Sequence, residues 1–259
     1  MRVNTCWGPG VIDWRIHHKA ETLSTNLDAR EGVHGDVFTA DYQTAGRGRL
    51  DHKWLSPEGT NLMMSAVLSV KGLAPERVAT LPLVAGLAVV KAIQRLIADD
   101  QDVRRETEDV KLKWPNDVLA ENKKLAGILC ELSGDNVIVG IGVNVGQTEF
   151  DREIADRATS LALLSADEVF RLPSSVLSLR DAILCELASC YSLWREKGFA
   201  AVYPEIAAVD FLKGREIAVR QTDDDAAPLV GISNGIMPDG SLDVGGRKVY
   251  AGEAHVEKL

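Results

Sequence analysis

Residues 111–132 read KLKWPNDVLAENKKLAGILCEL and concentrate groups able to handle an anion. Lys113 and Lys124 bring cations, Asn116 an amide, and Asp117 a carboxylate. Lys111, Lys113 and Pro115 alternate with Leu112 and Trp114, as on a half-buried strand. Pro115 ends the ladder because it has no N–H to donate. Asn116 and Asp117 are turn formers, Val118 and Leu119 resume an apolar run, and Glu121-Asn122 turns the chain. Residues 123–132 then read as a second strand. The resulting hairpin gathers Lys113, Asn116, Asp117 and Lys124 at a sheet edge, where they could bind an anion and a metal together. A solvated hairpin is the plainer reading of this stretch alone. Against it stand a tryptophan and a proline in so polar a segment, and a second unusual stretch upstream.

That second stretch is residues 43–54, QTAGRGRLDHKW, a loop by its glycines. Arg47, Arg49 and Lys53 face one acid, Asp51. Gly46 and Gly48 free the backbone to wrap an anion, and the arginines can pair with phosphate or carboxylate oxygens. A flexible basic turn is the alternative. Ser24-Thr25-Asn26 offers hydroxyls and an amide, although a serine or threonine here is equally an ordinary N-cap of the short helix 27–30. Residues 136–145, NVIVGIGVNV, read as a buried strand. Its glycines Gly140 and Gly142 mark a close approach by ligand or backbone, and Asn144 ends it with an amide.

The elements that must position these groups follow from pattern. Strands are expected at 14–21, 36–42 and 62–70. A helix is expected from Pro82 to about residue 98, with an apolar face that includes Val84, Leu87 and Ile93. A charged turn covers 99–108. A short helical piece falls at 158–164, and a long helix runs over 176–197, stopped by Gly198. Past Phe211 the texture changes to short strands at 216–221, 229–236, 241–244 and 247–251, with Asp-, Pro- and Gly-rich turns between them. That spacing predicts a small all-β barrel. The expected domains are 1–210 and 211–259.

The 259 residues are enough to bury a large core without staples. Lys and Arg number 29 against 38 Asp and Glu, a net charge of −9, which speaks against nucleic acid as a partner. Cys6, Cys130, Cys185 and Cys190 show no paired spacing and are expected to be reduced thiols in a cytoplasmic protein. No signal peptide is evident, and the apolar run 81–90 is too short to span a membrane. The five histidines have no metal-ligand spacing. On these grounds alone, the residues predict an ATP-using or phosphate-binding α+β enzyme.

The motifs also carry a resemblance. Ser24-Thr25-Asn26, Gln43 through Arg49, Trp54, Lys113-Trp114-Pro115-Asn116-Asp117, Lys124 through Leu129 and Gly140-Ile141-Gly142-Val143-Asn144 resemble, in order and spacing, the signature motifs of the biotin–protein ligases. The resemblance implies a mixed, largely antiparallel sheet flanked by helices (the class II synthetase-like ligase fold), followed by a Src-homology-3-like barrel. It implies that biotin's carboxylate attacks the α-phosphate of ATP with Mg²⁺, and that a carrier-domain lysine then takes the biotinyl group from biotinyl-5′-AMP. Ser24, Thr25, Asn26, Gln43, Gly46, Arg47, Lys124, Gly127, Ile128 and Leu129 correspond to biotin-contacting positions. Arg49, Trp54, Lys113, Asn116, Asp117, Gly142 and Asn144 correspond to positions around ATP and the adenylate, with Asp117 also the metal position. Lys124, Arg47 and Arg49 would be catalytic, and no covalent enzyme nucleophile is required.

The implied partner is the biotin carboxyl carrier domain of acetyl-CoA carboxylase or a related carboxylase. Lipoate-attaching ligases share the fold and are the first alternative. A biotin-responsive repressor is another, disfavoured by the roughly twenty residues before Ser24 and by the acidic charge. The sheet edges could pair between subunits, giving a homodimer, or with the carrier. One departure stands out. Where the family commonly continues the loop with glycine and arginine, this chain has Asp51 and His52, so a permanent charge is replaced by one that depends on pH.

Overall fold

The computed structural model describes residues 2–3, 12–50, 52–98, 110–165, 168–220 and 227–256. The expected turn at 99–108, Cys6 and Asp51 lie outside these residues. The larger unit is an eight-stranded sheet built from β1 (Arg2–Val3), β2 (Trp14–Thr22), β3 (Asp36–Gln43), β4 (Leu62–Ser69), β5 (Lys111–Lys113), β6 (Asp117–Ala120), β7 (Lys123–Ser133) and β8 (Asn136–Val143). Its order is β1-β2-β3-β4-β8-β7-β6-β5. Only β2 and β3 run parallel; the other pairs are antiparallel. This is the mixed, largely antiparallel sheet expected.

Alternation on the central strands separates two faces. Leu62, Met64, Ala66 and Leu68 on β4, and Val137, Val139, Ile141 and Val143 on β8, join the main core. Over that face lie α3 (Leu81–Ala98), reached through the short α2 (Pro75–Val78), and, after the single-turn α4 (Leu161–Leu164), α5 (Pro173–Lys197) and α6 (Phe199–Ala208). Each fully buried Leu, Ile or Val here contributes about 1.5–3 kcal/mol. Short α1 (Thr25–Asp28), with its following 3₁₀ turn Ala29–Glu31, sits against the other face, where Ala29, Val67 and Ile138 form a small second cluster. Farther along, the same face carries the pocket lined by Met63, Gly127 and Gly142.

The apolar stretch through α3 is longer than the sequence suggested. Residues 75–97 are long and apolar enough to cross a membrane, yet 72% of the most apolar window is buried inside the protein. Pro173 occupies the first turn of α5, where its missing N–H costs nothing, and Gly198 closes it at φ 88°. Helix α6 contains Pro204 and lies where the sequence pattern predicts no element. Cys130 and Cys190 are free, but Cys185 is disulfide-bonded, against the expectation of a reduced thiol.

The expected single hairpin at 111–132 is two hairpins, because Asp117–Ala120 forms a strand of its own between β5 and β7. The free edge of β5 is covered. Leu112 N–H donates to Val209 O at 2.8 Å, and Phe211 N–H donates to Leu112 O at 2.9 Å. Around Leu112 that edge is therefore closed to pairing with another chain. After this crossing comes a five-stranded antiparallel sheet, β9 (Glu216–Arg220), β10 (Leu229–Ile236), β11 (Leu242–Val244), β12 (Arg247–Val249) and β13 (Glu253–Val256), ordered β12-β11-β10-β9-β13. β13 is a strand beyond those expected.

Candidate functional site

The open face of the sheet is arranged in rows. Met63, Gly142, Gly127 and Asp117 stand in register across β4, β8, β7 and β6; Ser65, Gly140 and Leu129 form the next row. The glycines are a requirement of packing. A Cβ on Gly142 would lie 2.5 Å from the Trp54 ring, and one on Gly140 would lie 2.2 Å from Asn26 Oδ1. A Cβ on Gly127 would lie 3.2–3.4 Å from the Lys124 side chain and the same indole. The paired glycines thus form a trench in which Trp54 lies flat, and Trp54 Nε1–H is buried there without an acceptor among the described residues.

One end of the pocket is polar and uncharged. Thr25 donates its backbone N–H (2.7 Å) and its hydroxyl (3.1 Å) to Gln43 Oε1. Ser65 Oγ lies 2.8 Å from Thr25 Oγ1 and 2.6 Å from Asn26 Oδ1. Ser24 stands at the N-cap of α1, makes no side-chain capping bond, and is among the residues that line the pocket. The other end is cationic, with Arg49 beside Asn116 and Lys124 beside Asp117, and Arg47 and Lys53 also line the pocket. Arg49 donates to Asn116 Oδ1 at 3.1 Å, and Asn116 donates onward to Ile128 O at 2.8 Å. Lys124 is pinned by its backbone to Arg157 O and Thr159 N–H.

Lys124 Nζ stands 2.7 Å from Asp117 Oδ1. The distance makes it an ion pair, but the approach is off the hydrogen-bond direction, and that buried oxygen has no aligned donor. Such an oxygen can accept a second positive partner. Among the described residues, no group of three or more His, Cys, Asp or Glu is placed to hold a metal. A lone carboxylate fits an ion that takes the rest of its ligands from phosphates and water, as Mg²⁺ does. The two free thiols are pushed up to about 12 by burial, which leaves them protonated at neutral pH.

Most of the site residues expected from sequence converge on this pocket: Ser24, Thr25, Asn26, Gln43, Arg47, Arg49, Trp54, Asn116, Asp117, Lys124, Gly127, Ile128, Leu129 and Gly142. Gly46, Lys113 and Asn144 do not line it. Gly46 holds the loop stems together, accepting from Trp54 N–H at 3.0 Å where a Cβ would meet Trp54 O at 2.4 Å. Asn144 is buried and spends its amide on Thr159 O at 2.9 Å. Lys113 lies behind the wall, where burial lowers its pKa and the Asp117 charge partly restores it.

Ser65, Glu131 and Glu253 join the site without having been expected from sequence. Ser65 looks like an ordinary polar interruption of a strand. Glu253 begins β13 and lines the pocket from the second sheet, while Arg49 Nη1 reaches Gly252 O at 3.4 Å. His52 also lines the pocket, and its Nε2 stands 3.5 Å from Glu253 Oε1.

A model of the biotin/lipoate A/B protein ligase family matches residues 14–147, just over half of the chain. The chain belongs to this family. The biotin–[acetyl-CoA-carboxylase] ligase of Mycobacterium tuberculosis is 34% identical, the match covering 95% of this chain and 90% of that protein. The structure of the Aquifex aeolicus biotin protein ligase in complex with biotin and ATP superposes with a TM-score of 0.77 at 31% identity. That match covers 94% of this ligase and 99% of the Aquifex chain, so it includes the second sheet. The bifunctional ligase/repressor BirA of Escherichia coli is 29% identical over 80% of this chain, which spans 61% of that protein's length.

Proposed function

We propose that this ligase joins biotin to a lysine of a carboxyl carrier domain through biotinyl-5′-AMP. The carrying observation is the two-ended pocket. An uncharged cluster of Ser24, Thr25, Asn26 and Gln43 at one end suits the ureido ring of biotin, which both donates and accepts hydrogen bonds. The cations at the other end suit its carboxylate and the phosphates of ATP. Lipoate's dithiolane ring has no N–H or carbonyl with which to match that polar cluster.

In this reading Lys124 and Arg47 draw the carboxylate toward the α-phosphate, and Arg49 meets charge that develops on the phosphate oxygens. Lys124 then stays beside the mixed anhydride while the carrier amine attacks. Mg²⁺ would be held by Asp117 together with phosphate oxygens and would supply charge neutralisation. Trp54 closes the trench and keeps water from the anhydride. The acceptor is proposed to be the carrier of acetyl-CoA carboxylase or a related enzyme, as the name of the Mycobacterium relative suggests. Incubation with ATP, Mg²⁺, a carrier domain and either biotin or lipoate tests this, read by carrier mass. Biotinylation without lipoylation is expected; lipoylation alone would overturn the assignment.

A further inference from the structure

Glu131, on the same face of β7 as Gly127 and Leu129, is a carboxylate beside the pocket with both oxygens engaged. Its Oε2 accepts from Asn26 Nδ2 at 2.7 Å, and its Oε1 accepts from Arg47 Nη1 at 3.0 Å. Gln43, Thr25, Ser65, Asn26, Glu131 and Arg47 therefore form one continuous polar chain. It leaves β3, crosses β4 and β7, and returns to the loop four residues after it began. Through Glu131 the uncharged cluster is connected to one of the cations that line the pocket.

We propose that Glu131 is a positioning residue: it fixes the Asn26 amide with one oxygen and presets the Arg47 guanidinium with the other, leaving the remaining Arg47 donors for the substrate's anionic group. This rests on the proposed ligase function, in which Arg47 meets that anion. Without Glu131, Arg47 sits on a glycine loop with no fixed direction, and the substrate must order it on binding.

Glu131→Gln keeps the size but not the charge; its amide oxygen can accept from only one of the two donors, and its NH₂ is left facing the other. Biotin-dependent pyrophosphate exchange should fall about tenfold or more in kcat/KM, the scale of one charge-assisted hydrogen bond. Glu131→Asp should recover part of it. Adding Glu131→Gln to Arg47→Ala should cost almost nothing further, because the effect passes through Arg47. Trypsin should cut the substrate-free protein after Arg47 several-fold faster in Glu131→Gln, since that side chain is released. Wild-type exchange and cleavage rates in Glu131→Gln would overturn the proposal, as would losses that multiply in the double variant. If Glu131→Gln does not fold, Glu131→Asp takes its place in both measurements, and wild-type rates there would likewise overturn the proposal. A wild-type protein without biotin-dependent exchange would overturn the ligase function instead; the trypsin comparison would still decide whether Glu131 orders Arg47.

Discussion

Lys124 holds its ammonium 2.7 Å from the carboxylate of Asp117 across the β6–β7 pair. The backbone of Lys124 is tied on both sides to residues 157–159, so the charge is delivered by a fixed strand. Lys124→Ala should keep the fold, because the side chain is 40% exposed, and should slow adenylate formation. A charge aimed at a reacting anion is worth about 3 kcal/mol, on the order of a hundredfold. Pyrophosphate release measures it; a wild-type rate would remove Lys124 from the reaction.

Gly142→Ala should push the Trp54 indole out of its trench, since the new Cβ would sit 2.5 Å from the ring. The overpacking should cost about 1–3 kcal/mol of stability and a larger share of activity. Trp54→Ala removes the clash, so the double variant should be no worse than Trp54→Ala alone in adenylate synthesis. A double variant clearly worse than either single one would show that Gly142 matters for another reason.

His34 gives the fold a pH dependence. Burial lowers its pKa, and the Arg195 and Arg15 charges act in the same direction against the Val67 carbonyl. The neutral ring accepts from Ser69 N–H at 3.3 Å and packs on Tyr191. The folded state thus binds the proton more weakly than the unfolded chain does. Stability should be full above the ordinary histidine value of 6.5 and decline as pH falls below it. Denaturant midpoints at pH 7.5 and 5.5 should differ less in His34→Gln than in wild type; equal differences would exclude His34 as the source.

Asp210 joins the two sheets. Its residue bridges to Leu112 on β5, and its carboxylate accepts from Leu212 N–H at 2.9 Å and Ile236 N–H at 2.7 Å. Burial raises its pKa, and the two N–H groups act to lower it. Asp210→Ala strands both donors, which should cost about 2–4 kcal/mol. A chemical-denaturation curve checks this, and an unchanged midpoint would mean that water replaces the carboxylate.

Much of this was legible because it is local. The continuous apolar run of β8 and the glycines at 140 and 142 announced a buried strand under close approach, and the approaching groups are Asn26 and Trp54. The 43–54 loop and Lys124 were readable from charge and glycine content. What the sequence hid depends on distance along the chain. Glu131 looks like the polar half of an alternating strand end, and its partners lie 84 and 105 residues away. Strand β6 was obscured by Asn116-Asp117, whose turn propensity masks a strand that begins at Asp117 itself. Helix α6 was hidden by Pro204, tolerated because tertiary packing of Val202 and Ile206 outweighs the lost hydrogen bond.

The contribution of β13 to the pocket has a consequence for how the enzyme is born. Every other wall is encoded between Ser24 and Gly142, whereas Gly252 and Glu253 are read more than a hundred codons later. A ribosome that has released the whole eight-stranded sheet still holds a site with one side missing. During that interval Arg49 has no Gly252 carbonyl to reach and His52 no Glu253 beside it. Translation therefore separates the making of the chemistry from the closing of the vessel, and the nascent chain carries its reactive groups for a time before the pocket around them is complete.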